Sequence, residues 1–216
     1  MTSRVRLTTI LRSRSSAWRH LPLRLEAGFT MLETLVVVGL IGVITAIAMP
    51  MTANAIAHFR VTGDTRSLSN ATALAKMRAA SNFSRVRLYV DRSGNSHHLE
   101  VWNKKTGHWD TVGGTTHLST HVTFGYGAVS LAPPSTQDSI DQAPPCTSDA
   151  GPVIANTSCL MFNSRGVPVD DGGAPTALDA LYVTDGSAVY AVTLSATGML
   201  RVWRTPPVST PSWMAQ

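Results

Sequence analysis

The chain has 216 residues, two cysteines and a net charge of +5 from 18 Lys and Arg against 13 Asp and Glu. Arg4, Arg6, Arg12, Arg14, Arg19 and Arg24 against Glu26 put all of that excess in residues 1–28, and residues 29–216 are balanced at 12 against 12. Global charge therefore gives no argument for nucleic-acid binding. Two cysteines are also too few for a structural zinc site.

The first element is the basic segment 1–28. The second is an apolar run over 29–50, GFTMLETLVVVGLIGVITAIAMP when Gly28 is included, whose one charge is Glu33. Its length is roughly what an α-helix needs to cross a bilayer's hydrocarbon core. A carboxylate there costs about 2.5 to 3.5 kcal/mol on insertion scales, so it demands a function and a partner. Upstream arginines hold that end in the cytoplasm under the positive-inside rule, leaving the C-terminal part outside. A secretory signal fits poorly, because its apolar core is shorter and its cleavage site follows that core.

Gly28, Phe29, a glutamate at the fifth position counted from Phe29 and Pro50 at the twenty-second resemble the start of a type IV pilin or pseudopilin. The resemblance implies that a prepilin peptidase cuts between Gly28 and Phe29 on the cytoplasmic face and methylates the new amino group of Phe29. It implies that Glu33 pairs with the charged N-terminus of a neighbouring subunit, so that two costly buried charges offset each other. Residues 1–28 would be a cleaved leader, longer than most in that family. The remaining chain would sit in the bacterial inner membrane with its soluble part in the periplasm.

Within the apolar run, Gly39, Gly42 and Ala46 are small enough to admit another helix closely, and equally suit a lipid-facing surface. Pro50 removes one backbone hydrogen bond and predicts a kink, with Gly63 as a second weak point. Residues 51–82 read as an amphipathic continuation of the helix, with Ile56 and Phe59, then Leu68, Ala71 and Ala75, at helical spacing.

Residues 83–216 change to short β-prone runs separated by turn signals, enough for one extracytoplasmic domain. Val86, Leu88 and Val90 alternate with Arg85, Arg87 and Tyr89, which predicts a strand with one buried face. Turns are expected at Ser93–Asn95, Lys104–Gly107, Asp185–Gly186 and Ala196–Gly198. A Pro, Gly and Ser-rich stretch at about 125–158, with Pro133, Pro134, Pro144 and Pro145, reads as a long loop. Cys146 and Cys159 lie on the side of the membrane where disulfides persist and are expected to be bonded. The fold class is α+β, a long N-terminal helix on an antiparallel sheet.

The segment Cys159 to Pro168, with a phenylalanine and a polar turn ending in Arg165-Gly166, precedes a last hairpin closing on Thr197-Gly198 and Arg201. This is similar to minor pseudopilins of the type II secretion protein H and FimT group. The resemblance implies a filament subunit whose partners are prepilin peptidase, other pseudopilins or pilins, and a secretion or pilus assembly platform. Some FimT-like members carry Gly-Arg-x-Arg for DNA; here the match is Gly198-Met199-Leu200-Arg201. Arg204 lies three residues further on, hence on the opposite face of a regular strand, so nucleic acid is disfavoured as a partner. Trp203 suits packing better than base stacking.

Enzymatic signals are weak. His117 and His121 would form a metal pair only on a helix, in a region that reads as strand and loop. Asp170 and Asp171 precede Gly-Gly, a turn signature. No Gly-x-Ser-x-Gly, phosphate loop or zinc-protease motif occurs, so no catalysis, cofactor or metal is expected.

Overall fold

A computed structural model describes residues 28–216, apart from the side chain of Pro50; the arginines of the leader segment lie outside the described residues. Among the described residues, one helix, α1 (Met31–Ser81), precedes ten strands. The chain divides into two compact units at Ile47 and Ala48, and α1 contributes to each.

In the first unit, Thr30 caps α1: its hydroxyl accepts the Glu33 amide N–H at 3.2 Å. Thr-x-x-Glu is the spacing of a capping box, and an acidic first turn also suits the helix dipole. Every residue from Gly28 to Met49 is exposed, and the helix is long and apolar enough to cross a membrane. The two threonines within Met31–Met49 keep their hydroxyls satisfied internally, Thr34 donating to the Met31 carbonyl at 2.9 Å and Thr45 to the Ile41 carbonyl at 2.7 Å. Such back-bonding lets a hydroxyl sit where no water is available. The helix α1 runs on through Pro50 and Gly63.

In the second unit, burial along α1 returns every third or fourth residue, at Val61, Thr65, Leu68, Thr72, Ala75 and Ala79. Two members of that stripe are threonines, which apolar periodicity passes over. Their hydroxyls bond back to the Val61 and Leu68 carbonyls at 2.7 and 2.8 Å, leaving methyl groups for the core. Ile56 and Phe59, grouped with this stripe on sequence spacing, are instead 44% and 73% exposed. The stripe starts at Val61, where the sheets begin to cover the helix.

The strands form two antiparallel five-stranded sheets. The first has the order β3 (His108–His117), β2 (Ser96–Asn103), β1 (Val86–Asp91), β5 (Thr157–Phe162), β6 (Pro168–Val169). The second has the order β10 (Met214–Ala215), β9 (Leu200–Thr205), β8 (Val189–Leu194), β7 (Asp179–Thr184), β4 (Thr123–Phe124). The expected α+β class, a long N-terminal helix on antiparallel β-structure, is the observed one.

One core joins α1 to both sheets. Leu68 and Ala75 cluster with Leu88, Leu160 and Phe162 of the first sheet and with Leu181, Tyr190 and Val192 of the second. Each fully buried Leu, Val or Phe contributes roughly 1.5–3 kcal/mol relative to exposure. The other face of the second sheet carries a smaller cluster, with Tyr182 and Trp203 covered by Tyr126, Val129 and Ile140 of the long loop and by Trp213. That loop is therefore bound down: Gln142 holds the Tyr182 backbone in both directions, each bond at 2.9 Å.

The hairpin turns use acidic and amide side chains as internal acceptors. Asp91 accepts the Ser93 and Gly94 amides at 2.9 and 3.0 Å, which, with hydrogen bonding from the Ser93 hydroxyl as the largest cause, holds its carboxyl below the ordinary range.

Candidate functional site

The chemistry of the N-terminal segment rests on few groups. Gly28 lies in open space, where an added Cβ would meet nothing within 4 Å, and Phe29 is 76% exposed. Glu33 stands in the first turn of α1, and among the described residues its carboxylate has no hydrogen bond or ion pair. Gly39, Gly42 and Gly63 likewise border open space.

Cys146 and Cys159 are disulfide-bonded, with Cα atoms 5.0 Å apart. The bond ties the long loop to β5, and backbone bonds from Cys159 N–H to the Pro144 carbonyl and from Ile154 N–H to the Cys146 carbonyl, at 2.8 and 2.7 Å, continue the attachment. Loop residues Thr147 to Asp149 thereby reach the outer face of the first sheet.

That face differs from the single buried face expected for β1. Arg87 is only 3% exposed. Its Nε donates to Glu100 on the neighbouring strand and its Nη1 to the Thr147 carbonyl at 2.7 Å, while its guanidinium carbon sits 4.2 Å from the centroid of a Trp109 ring. His98 adds a second contact to Glu100 at 3.2 Å and stacks on Tyr89 at 4.8 Å. Alternation predicted the Arg87 direction correctly but not its burial, because the cover comes from a loop about 60 residues away in sequence. At the rim, His108 and the Trp109 amide bond to Asp149 at 2.9 and 3.0 Å, and these bonds, His108 first, hold the Asp149 carboxyl below its usual range.

The Arg165-Gly166 and Thr197-Gly198 turns come together on α1. Lys76 Nζ donates to the Gly198 carbonyl at 3.0 Å. Gly166 and Gly198 have φ values of 74° each, and a Cβ at Gly198 would stand 3.0 Å from both the Gly166 carbonyl oxygen and Lys76 Nζ. Left-handed backbone and lack of space both call for glycine at Gly198. This junction fastens the helix to one turn from each sheet, and nothing in its sequence spacing predicted that Lys76 would be the meeting point.

Arg201 pairs across β8 with Thr193, and Arg204 pairs with Tyr190. Arg201 borders a surface cleft with Trp203 and Met199, whereas the Arg204 guanidinium lies 5.9 Å from the Tyr190 ring, on the side of β9 that meets α1. Trp203 is buried and donates its ring N–H to Thr193 at 3.0 Å, so its face is occupied by packing. The two arginines are not brought together.

His117 ends β3, and His121 is an exposed turn residue with φ of 71°. Asp170 accepts the Ala174 amide at 2.8 Å, and the Asp171 carbonyl accepts a bond from Arg85 at 3.1 Å. Among the described residues, no three His, Cys, Asp or Glu side chains are grouped to hold a metal.

No family model matches the chain, and no curated protein matches it. Among solved structures, the minor pseudopilin EpsH of the Type 2 Secretion System of Vibrio cholerae is similar at 14% identity, with a TM-score of 0.42 over 66% of this chain and 95% of that one. A second structure of EpsH gives 13% identity and a TM-score of 0.39 over 69% and 92%. Likeness at this level leaves function to be argued from the residues of the chain itself.

Proposed function

We propose that the chain is a minor pseudopilin-like filament subunit of a type II secretion system rather than an enzyme. The observation that carries this reading is the apolar half of α1, exposed on every side, with one carboxylate in its first turn and a glycine-phenylalanine junction just before it. A helix apolar all round needs lipid or other helices around it. A lone carboxylate in such a helix needs a cation from outside the helix.

The proposed sequence of events starts with insertion, the arginines of residues 1–28 remaining in the cytoplasm and the sheet domain in the periplasm. Prepilin peptidase then cuts after Gly28 and methylates Phe29. In the bilayer the new ammonium at Phe29 and Glu33 of the adjacent subunit attract each other, and this pairing sets the axial offset between helices as subunits leave the inner membrane for the filament. Pro50 lies at the membrane exit, where a missing backbone hydrogen bond lets the helix bend.

The test is twofold. Glu33→Ala should insert and be cleaved normally yet be lost from filaments, read by crosslinking and by pull-down with the other pseudopilins; undiminished incorporation would remove the role of Glu33. Gly28→Leu should accumulate as uncut precursor, visible as a mass difference equal to the leader. A FimT-like role with DNA is not favoured, because Arg201 and Arg204 lie on opposite faces of β9 and Trp203 is buried.

A further inference from the structure

A cleft of about 280 Å³ lies between the last turns of α1 and the β2–β3 hairpin, its lining including Asn70, Arg78, His97, Gly113, Gly114 and Thr116. Two of these residues hold polar atoms that are out of solvent and have no partner among the described residues, Arg78 Nη1 and His97 Nδ1. His97 is only 3% exposed. Leaving such groups unpaired costs roughly 1–3 kcal/mol each, and more for a charged one. A cation in the last turn of a helix suits the helix dipole, but that does not account for a guanidinium nitrogen turned out of water.

The backbone opens at the same place. The β2–β3 ladder pairs His97 with Thr116 and Leu99 with Val112, so His98 alone stands opposite Gly113, Gly114 and Thr115. Bulges of this kind interrupt pairing and re-aim nearby side chains. Gly113 has φ of 90°, which explains glycine there; Gly114 has no such conformation, and a Cβ on it would meet nothing within 4 Å. Packing among the described residues gives no reason for Gly114, and its lack of a side chain keeps the cleft wall open.

We propose that this cleft binds a carboxylate, held between the guanidinium of Arg78 and the imidazole of His97. Arginine presents a planar fork that matches a carboxylate in two parallel bonds, and a neutral imidazole supplies one further N–H donor. One permanent positive charge balances one negative charge, whereas a phosphate dianion would remain undercompensated. The volume falls at the small end of ligand pockets, enough for a short aliphatic acid or a single acidic side chain. The same chemistry therefore serves a free small acid or a Glu presented by another protein chain.

The test uses the full chain in detergent micelles with isotopically labelled histidine, read by the ring resonances of His97. Sodium acetate and a triglutamate peptide are titrated separately, with sodium chloride as the ionic-strength control. A saturable shift of the His97 ring with either carboxylate, absent with chloride, is expected; tighter binding of the peptide per carboxylate would identify a protein-borne side chain, and parity would identify a free acid. Arg78→Met should weaken acetate binding by about tenfold or more, the size expected when a charge-assisted bond is lost. Gly114→Val, which narrows the cleft and leaves both polar groups in place, provides a second variant and should also weaken it. If the His97 ring does not respond to either carboxylate, the cleft holds water alone and the proposal is overturned.

Discussion

The two stretches of α1 show what a single helix does when its surroundings differ. Over Met31–Met49 the large side chains are exposed in all directions, Leu35 at 68%, Ile41 at 55% and Ile47 at 62%. Over Val61–Ala79 exposure vanishes on one stripe, where Leu68 and Ala75 are fully buried. The first stretch has no preferred side, so its stabilising partner is a uniformly apolar medium or other helices. The second has a direction imposed by two sheets. Stability of the sheet domain should depend on the second alone.

The largest effect expected from that contrast comes from matched truncations. Leu68→Ala removes a fully buried side chain of the core that joins α1 to both sheets and should destabilise the domain by about 2–5 kcal/mol in denaturant unfolding. Leu35→Ala, the same chemical change in the exposed stretch, should leave that transition within about 0.5 kcal/mol of the parent. Equal losses would show that the apolar stretch is part of the folded core.

The disulfide comes next. Cys146→Ser with Cys159→Ser opens a short loop and should cost about 3 kcal/mol in the chain-entropy model, again with no consequence for the apolar stretch. Mass spectrometry after alkylation, with and without reductant, checks the bond itself; two alkylated cysteines in the unreduced chain would contradict it. Releasing the loop should also free the Thr147 carbonyl from Arg87, seen as altered Trp109 fluorescence.

Gly198→Ala is expected to have a smaller effect, about 1–2 kcal/mol, since it forces a left-handed alanine toward the Gly166 carbonyl and Lys76. Lys76→Met separates the two parts of that effect: it removes the bond to the Gly198 carbonyl while keeping the aliphatic stem. If Gly198→Ala is neutral in thermal unfolding, the junction at Lys76 does not fasten the helix to the turns.

How much of this was legible in the sequence follows the range of the interactions. The apolar run, Glu33 and the Gly28-Phe29 junction are contiguous, so local pattern was enough to single them out. Strand alternation gave the direction of Val86, Leu88 and Val90 because the period of a strand is fixed. The burial of Arg87 was not legible, since it depends on Thr147 and Trp109 arriving from elsewhere. Thr65 and Thr72 were missed for another reason: their back-bonded hydroxyls make them apolar in effect, although composition counts them as polar. Ile56 and Phe59 stand at helical spacing as expected yet are exposed, because periodicity records phase and not where cover begins. The cleft at Arg78 and His97 had only Gly113-Gly114 as a local sign, and a glycine pair commonly marks no more than a turn.

The smallest effect expected is the pH response of the packed stretch through His97. Burial pushes the His97 imidazole below its ordinary value of 6.5; the Asp64 charge opposes this and the His98 charge adds to it. Arg78 lines the same cleft. The folded chain thus binds fewer protons at this position than the unfolded chain just below pH 6.5. Stability linked to His97 is complete above that value and declines as pH falls from 6.5 through the folded value. His97→Gln should flatten that decline in denaturant midpoints measured between neutral and mildly acid pH. A carboxylate bound in the cleft acts in the opposite direction, since a negative charge beside the ring favours the imidazolium form. Saturating acetate should therefore shrink the acid-side loss in the parent chain and do nothing in His97→Gln. The apolar stretch of α1 has no histidine, so this pH response belongs to the sheet domain.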